Sequence, residues 1–284
     1  MIKRVFAIVF VSAQSLFLHV VPGCADFFRI PTAQRADLHA PGHQPTAHPI
    51  VKGELSETLR KAPKPHNAMV LVGSGPSAEN AIGLDRPYNE AVILSSSGEE
   101  LFRQRKLNPF NMNWKRMEDC QLSRAAGHEK QFHMEDCATG NELVICDIHG
   151  LGRVVVLICE DLEQQTPGGD VCLQALPDWI LTPVLDIALD FGRWEHRRAI
   201  EISRKTLSRV VISCSASLQV RMRGKERLAD AGEIHTGLCL DGQSNLRIKQ
   251  ITVGGPASGQ YTVVEWKADA WTEHRIVPKK PEAK

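Results

Sequence analysis

The sequence predicts an α/β fold with a mixed sheet layered by helices, and three observations carry the prediction. Strand-like runs alternate with helical stretches from about residue 50 onward, several neighbouring runs are joined by hairpin turns, and no unit of roughly 20 to 50 residues recurs. The chain has 284 residues and 43% hydrophobic content, enough for one large core or two small ones.

Taken in order, "MIKR" followed by "VFAIVFVSAQSLFLHVV" and "PGCA" has the charged, apolar and small-residue sequence of a secretory leader, while Val5 to Val11 also reads as a first strand. Ser12, Gln14, Ser15 and His19 interrupt the run, and a spanning helix needs about 20 apolar residues, so no membrane segment is predicted. Residues 22 to 49 carry Pro22, Pro31, Pro41, Pro45 and Pro49 and form a connector. "ELSETLRKA" is a short helix stopped by Pro63 and Pro65, and "NAMVLVGSG" a buried strand. "NEAVILSSSGEELFRQRKL" and "ELVICDIHGLGRVVVLICED" are two hairpins. "CLQALP" is a helix, "DWILTPVLD" a strand, and "WEHRRAIEISRKTLSR" a helix with Trp194, Ala199, Ile200 and Ile202 as its apolar positions. "VVISCSASLQV" is a strand, "TGLCLDGQSNLRIKQITV" a hairpin, and "YTVVEW" the last strand. The expected organisation is an atypical segment over 1–49, a main domain over 50–270 and a polar tail over 271–284.

Lys and Arg number 34 and Asp and Glu 33, a balance without the basic field that a nucleic-acid binder uses, so a small-molecule partner is expected. The eight cysteines, at 24, 120, 137, 146, 159, 172, 214 and 239, form no CxxC pair and no disulfide framework. That usage predicts a reducing, cytoplasmic setting without structural zinc; "HMEDC" (133–137) has metal-capable side chains but no second cluster at ligand spacing. A secreted protein remains the rival expectation while the leader-like start is unexplained.

One segment points to chemistry. Five β-formers, Val154 to Ile158, end in Cys159, which is followed at once by Glu160 and Asp161. A thiol at a strand exit is a small core residue or a nucleophile. His149 sits at the far turn of the same hairpin, about 30 Å away at roughly 3.3 Å per residue, too far to be its base. A carboxylate raised in pKa by burial can take the thiol proton and return it to a departing amine. A fixed ammonium in a dry site can stabilise the oxyanion that forms, and the N–H after the nucleophile, that of Glu160, is a second donor for it.

"GRVVVLICED" (Gly152 to Asp161) resembles, residue for residue, the nucleophile segment of the nitrilase, or carbon-nitrogen hydrolase, superfamily. "NEAVILSSSGEELFRQRKLNPF" (Asn89 to Phe110) is similar to the family's lysine segment, and "DWILTPVLD" with the following helix and strand resembles what comes next. The similarity covers about residues 50 to 265. It implies a nitrilase-like α-β-β-α sandwich with mixed sheets, and a Glu-Lys-Cys constellation in which Cys159 is the nucleophile, Lys106 the oxyanion stabiliser and Glu54, in "HPIVKGELSETL", the base. Many members add a second glutamate after the lysine; here the first acid is Glu118, with Glu129 and Glu135 as rivals. The resemblance further implies an amidase-type hydrolase of non-peptide C–N bonds working through a thioester, on an amide or nitrile substrate, without metal or organic cofactor. It also implies a homodimer or higher homo-oligomer. Two alternatives stay open: an inactive nitrilase-like interaction module in a larger assembly, and an acyl-transferring or amidotransferase relative.

Overall fold

The computed structural model describes residues 5–10, 15–21, 68–113 except 82 and 85, 133–186 except 136, 189, 191–214, 234–242, 247–253, 261–267 and 270–276, with Gly53, Ser56, Glu57, Arg60 and Lys61. Among the described residues, thirteen of the fifteen strands build two large sheets.

The first sheet takes strands from both ends of the sequence. Its strands are β1 (Val5–Phe10), β2 (Ser15–Val21), β3 (Ala68–Asn80), β4 (Pro87–Leu94), β5 (Glu100–Arg105), β14 (Tyr261–Lys267) and β15 (Ala270–Ile276). They run in the order β15-β14-β1-β2-β3-β4-β5, and every neighbouring pair is antiparallel. Residues 5–10, 15–21 and 270–276 therefore belong to this sheet, which takes strands from outside the 50–270 window on both sides. Residues 271–276 of the expected polar tail belong to β15, which pairs in register with β14 as an edge strand, where one face can stay polar.

The second sheet contains β8 (Ile145–Ile148), β9 (Gly152–Val156), β10 (Trp179–Val184), β11 (Arg209–Cys214), β12 (Ile234–Asp241) and β13 (Arg247–Val253), in the order β13-β12-β11-β10-β9-β8. Strands β9, β10 and β11 are parallel and the outer pairs antiparallel, so this sheet is the mixed one. A two-residue pairing of β6 (Asn111–Met112) with β7 (His133–Met134) stands apart.

Continuous apolar runs mark strands covered on both faces, and β9 shows how the coverage alternates. Val154, Val156 and Ile158 pack with Met69, Leu71, Ala91 and Ile93 of the first sheet, forming the inter-sheet core. Val155 and Leu157 point the other way and pack with Leu162, Cys172, Ala199 and Ile202. Those four belong to helices α1 (Glu160–Glu163), α2 (Asp170–Ala175) and α3 (Trp194–Thr206), which cover the outer face of the mixed sheet. Burial of a side chain such as Ile158 contributes about 1.5–3 kcal/mol.

Helix α3 turns in a phase different from its apolar pattern. Its buried positions are Glu195, His196, Ala199, Ile202, Ser203 and Thr206, while Ile200 is only partly buried. Spacings of three and four place these residues on one stripe, so the sheet accepts two ionisable side chains with the aliphatic ones. Among the described residues, no helix is long and apolar enough to cross a membrane.

Candidate active site

The strand β9 delivers Cys159 to the edge of the inter-sheet space. Beyond the ladder the chain keeps to β10, with Leu157 N–H donating to Leu181 O and Cys159 N–H to Pro183 O, both at 3.0 Å. Pro183 donates nothing itself, but its carbonyl holds the nucleophile's backbone. At Cys159 the chain reverses with φ 50° and ψ −103°, a left-handed conformation that side-chain-bearing residues rarely adopt, and α1 starts at the next residue. The turn is closed by Asp161 N–H to Ile158 O and Leu162 N–H to Cys159 O, each at 3.0 Å. Glu160, whose N–H is the candidate second oxyanion donor, opens α1 immediately after the bend. The glycine at the start of β9 is explained too: at Gly152, φ is +104° and a Cβ would lie 2.3 Å from Asp178 Oδ2.

Lys106 follows directly on β5. Its backbone N–H donates to Asn89 O at 2.8 Å, and its carbonyl accepts from Gly140 N–H at 2.7 Å. The side chain is 3% exposed, far from the solvated fate usual for lysine, and its ammonium pairs with Glu135. Burial alone would lower the Lys106 pKa, but Cys159, Glu135 and Asp161 together hold it above the usual lysine range. Lys106 is therefore an ammonium at neutral pH.

Glu135 is fixed from several sides. Asn89 Nδ2 donates to its Oε1 at 2.6 Å and Phe110 N–H to its Oε2 at 3.1 Å. Burial pushes its carboxyl up, yet the Lys106 charge, the Lys106 hydrogen bond and these two donors outweigh it and leave the pKa below the ordinary glutamate value.

The thiol is held protonated. Burial pushes Cys159 up to about 11, against the pull of Lys106 and the Leu185 N–H, while Asp186 and Glu135 add to the rise. Attack by this sulfur thus needs a proton acceptor. Asp161 is buried beneath the bend, and its carboxylate takes hydrogen bonds from Leu107, Asn108 and Ile158 N–H.

Of the residues singled out from the sequence, Cys159, Lys106, Glu160 and Glu135 gather at one end of the sandwich. Glu54, Glu118 and Glu129 lie outside the described residues. Ser56, two positions after Glu54, is buried against Gly98 in the β4–β5 turn, at the opposite end of that hairpin from Lys106. Among the described residues the acid that pairs with Lys106 is Glu135, which the β6–β7 pairing brings beside Phe110. The sequence offered "HMED" with its acid among the rivals; nothing in its spacing singled that acid out. Asp161 stands in the quoted segment, but its partners are backbone amides 53 and 54 residues away, which leave no mark on composition. No group of three or more His, Cys, Asp or Glu suited to a metal ion occurs among the described residues.

Comparison with known proteins supplies the class. The family model of the carbon-nitrogen hydrolases matches residues 16–166, from within β2 through the bend after Cys159. The match spans more than half of the chain, and the protein belongs to the carbon-nitrogen hydrolase family. Solved structures with a related arrangement include Nit3 of Saccharomyces cerevisiae, a member of branch 10 of the nitrilase superfamily, at 15% identity and TM-score 0.49, covering 78% of this chain and 66% of that one. The glutamine-dependent NAD+ synthetase of Acinetobacter baumannii matches at 14% identity and TM-score 0.44, with 75% and 33% covered. An amidase from Nesterenkonia sp. matches at 16% identity and TM-score 0.41, with 81% and 67% covered. The chain thus spans just under two thirds of Nit3 and one third of the synthetase. No curated protein matches its sequence.

Proposed function

We propose that the protein hydrolyses a non-peptide C–N bond, that of an amide, through a thioester on Cys159. The observation that carries this reading is the buried Lys106 ammonium, 3% exposed and paired with Glu135, whose charge acts directly on the Cys159 thiol. A lysine is desolvated to this degree only where its charge has work or partners inside.

In the proposed reaction the thiol gives its proton to a carboxylate as sulfur bonds to the carbonyl carbon, and the carbonyl electrons move to oxygen. Lys106, with the Glu160 N–H, stabilises that oxyanion. The carboxylic acid returns the proton to nitrogen, the C–N bond breaks, and the amine leaves an acyl group on sulfur. Water then gives a proton to the same carboxylate, adds to the thioester carbon and releases the carboxylic acid product, restoring the thiol. Glu135 is the described carboxylate next to Lys106, and Glu54 is the base that the family resemblance implies; comparing Glu135→Gln with Glu54→Gln assigns the role. Pairing of subunits and a cytoplasmic setting belong to the same proposal.

Ammonia release from a panel of simple amides, with and without an added amine acceptor, tests the reaction type. Hydrolysis predicts release that the acceptor does not raise, together with the free acid as product. Release that depends on the acceptor would identify acyl transfer, and no release from any amide or nitrile, by a folded sample, would favour an interaction module.

A further inference from the structure

The two chemically important segments belong to different sheets. Lys106 leaves β5, at one edge of the antiparallel sheet, and Cys159 leaves β9, inside the mixed one. One carboxylate spans them. Asp161 is 1% exposed; its Oδ1 accepts from Leu107 N at 3.0 Å, Asn108 N at 2.7 Å and Asn108 Nδ2 at 3.2 Å, and its Oδ2 from Leu107 N at 3.1 Å and Ile158 N at 3.2 Å. Leu107 and Asn108 follow Lys106 directly, and Ile158 immediately precedes Cys159. Both oxygens meet only N–H donors, and only an ionised carboxylate accepts at both without presenting a donor of its own.

We propose that Asp161 is a positioning residue for the hydrolysis described above: its ionised carboxylate keeps Lys106 aligned with Cys159 across the gap between the sheets, and protonation of Asp161 releases that alignment. The inference rests on the hydrolase reading. A protonated Asp161 points an O–H at donors, so at least one buried N–H loses its acceptor and the 106–108 loop is freed from the bend.

The charge state is poised to change. Burial pushes Asp161 up to about 6, although the N–H groups of Leu107, Asn108 and Ile158 and the Lys106 charge pull the other way. Lys106 is the charged group that faces it from the opposite sheet, with Glu135 behind Lys106. Its own helix carries Glu160 and Glu163, and from α3 Arg198 reaches Leu162 O at 3.2 Å and Glu163 at 4.0 Å. Because the folded-state pKa lies above the ordinary 3.8, the ionised carboxyl costs folding stability at neutral pH and that cost vanishes in acid. Protonating Asp161 therefore disables the site without unfolding the protein through this group.

The test uses the full chain and iodoacetamide, with the rate of adduct formation on Cys159 followed by peptide-resolved mass spectrometry from pH 4.5 to 8 and circular dichroism at each pH. The wild type is expected to show a break near pH 6, with the rate falling about tenfold more steeply per pH unit below it. Asn108→Asp sets a second carboxylate against Asp161 and should move the break upward by half a pH unit or more. Asp161→Asn should remove the break and slow the reaction at neutral pH at least tenfold, because its amide turns a donor toward donors. If Asp161→Asn does not fold, Asn108→Asp decides alone. A break that Asn108→Asp leaves in place overturns the inference and leaves the hydrolase reading intact. A wild-type Cys159 that takes no adduct at any pH overturns both.

Discussion

Two clusters of charge act on Cys159, each with two carboxyls and one cation, and their glutamates behave oppositely. At Lys106, Glu135 and Asp161, backbone and side-chain N–H groups from Phe110, Asn89, Leu107, Asn108 and Ile158 reach both acids. At the exit of β10, Asp186 accepts from Arg193 Nη2 at 2.8 Å and Trp194 Nε1 at 3.0 Å, whereas Glu195, 0% exposed, has Arg193 Nε at 3.5 Å. Burial and the nearby Asp186 push Glu195 up to about 8, while Glu135 falls below its ordinary value. The contrast shows that a nearby cation alone does not keep an acid ionised: the Lys106 charge and hydrogen bond fall directly on Glu135, with Phe110 and Asn89 adding to them, whereas Arg193 gives its hydrogen bond to Asp186 and stands 3.5 Å from Glu195. The first cluster keeps Glu135 charged, and the second holds a proton on Glu195.

Breaking the first cluster should have the larger effects. Cys159→Ser, which leaves the surrounding charges in place, is expected to lower turnover by about 10³-fold or more, measured as amide hydrolysis at saturating substrate. Lys106→Met should reduce turnover by about 10²–10³-fold through loss of the oxyanion partner. The same change leaves the partly buried Glu135 without its cation and should lower stability in urea unfolding, by less than the roughly 3–5 kcal/mol typical of a fully buried pair, a drop that Cys159→Ser does not share. Glu135→Gln sharpens the comparison: its effect on turnover should be smaller than that of Lys106→Met, unless Glu135 is the proton acceptor, in which case a loss of about 10²–10⁴-fold follows.

The second cluster predicts the smallest effect, on stability versus pH. The pKa of Glu195 is higher folded than unfolded, so its proton stabilises the fold fully below about 4.5, and that contribution is lost as pH rises through about 8. Denaturant titrations across this window should show wild-type stability declining by more than that of Glu195→Gln, whose amide mimics the protonated acid. Equal pH slopes for the two proteins would contradict the proton-holding account.

Much of the architecture was legible because burial on both faces leaves continuous β-branched runs. "GRVVVLICED" and "DWILTPVLD" announced β9 and β10, and the Ser95 to Gly98 turn announced the β4–β5 hairpin. Parts with mixed exposure were less legible. β15 alternates too weakly to stand out from a polar tail, and α3 buries Glu195 and His196, which no apolar periodicity could flag. In the site, Cys159 and Lys106 stood out through local pattern, since each closes a strand-like run of sequence. Glu135 did not, because its place beside Lys106 depends on the two-residue pairing of β6 with β7, and Asp161 acts on backbone N–H groups that every sequence possesses.

The central claim is that Cys159 carries an acyl group. Intact-mass and peptide-resolved spectrometry of the full chain, quenched in acid during turnover of a simple amide, tests it directly. The account predicts an added mass equal to the acyl group on Cys159 in the wild type, removed by hydroxylamine and absent in Cys159→Ser. An acyl mass on a different residue, or amide hydrolysis that persists undiminished in Cys159→Ser, would contradict it.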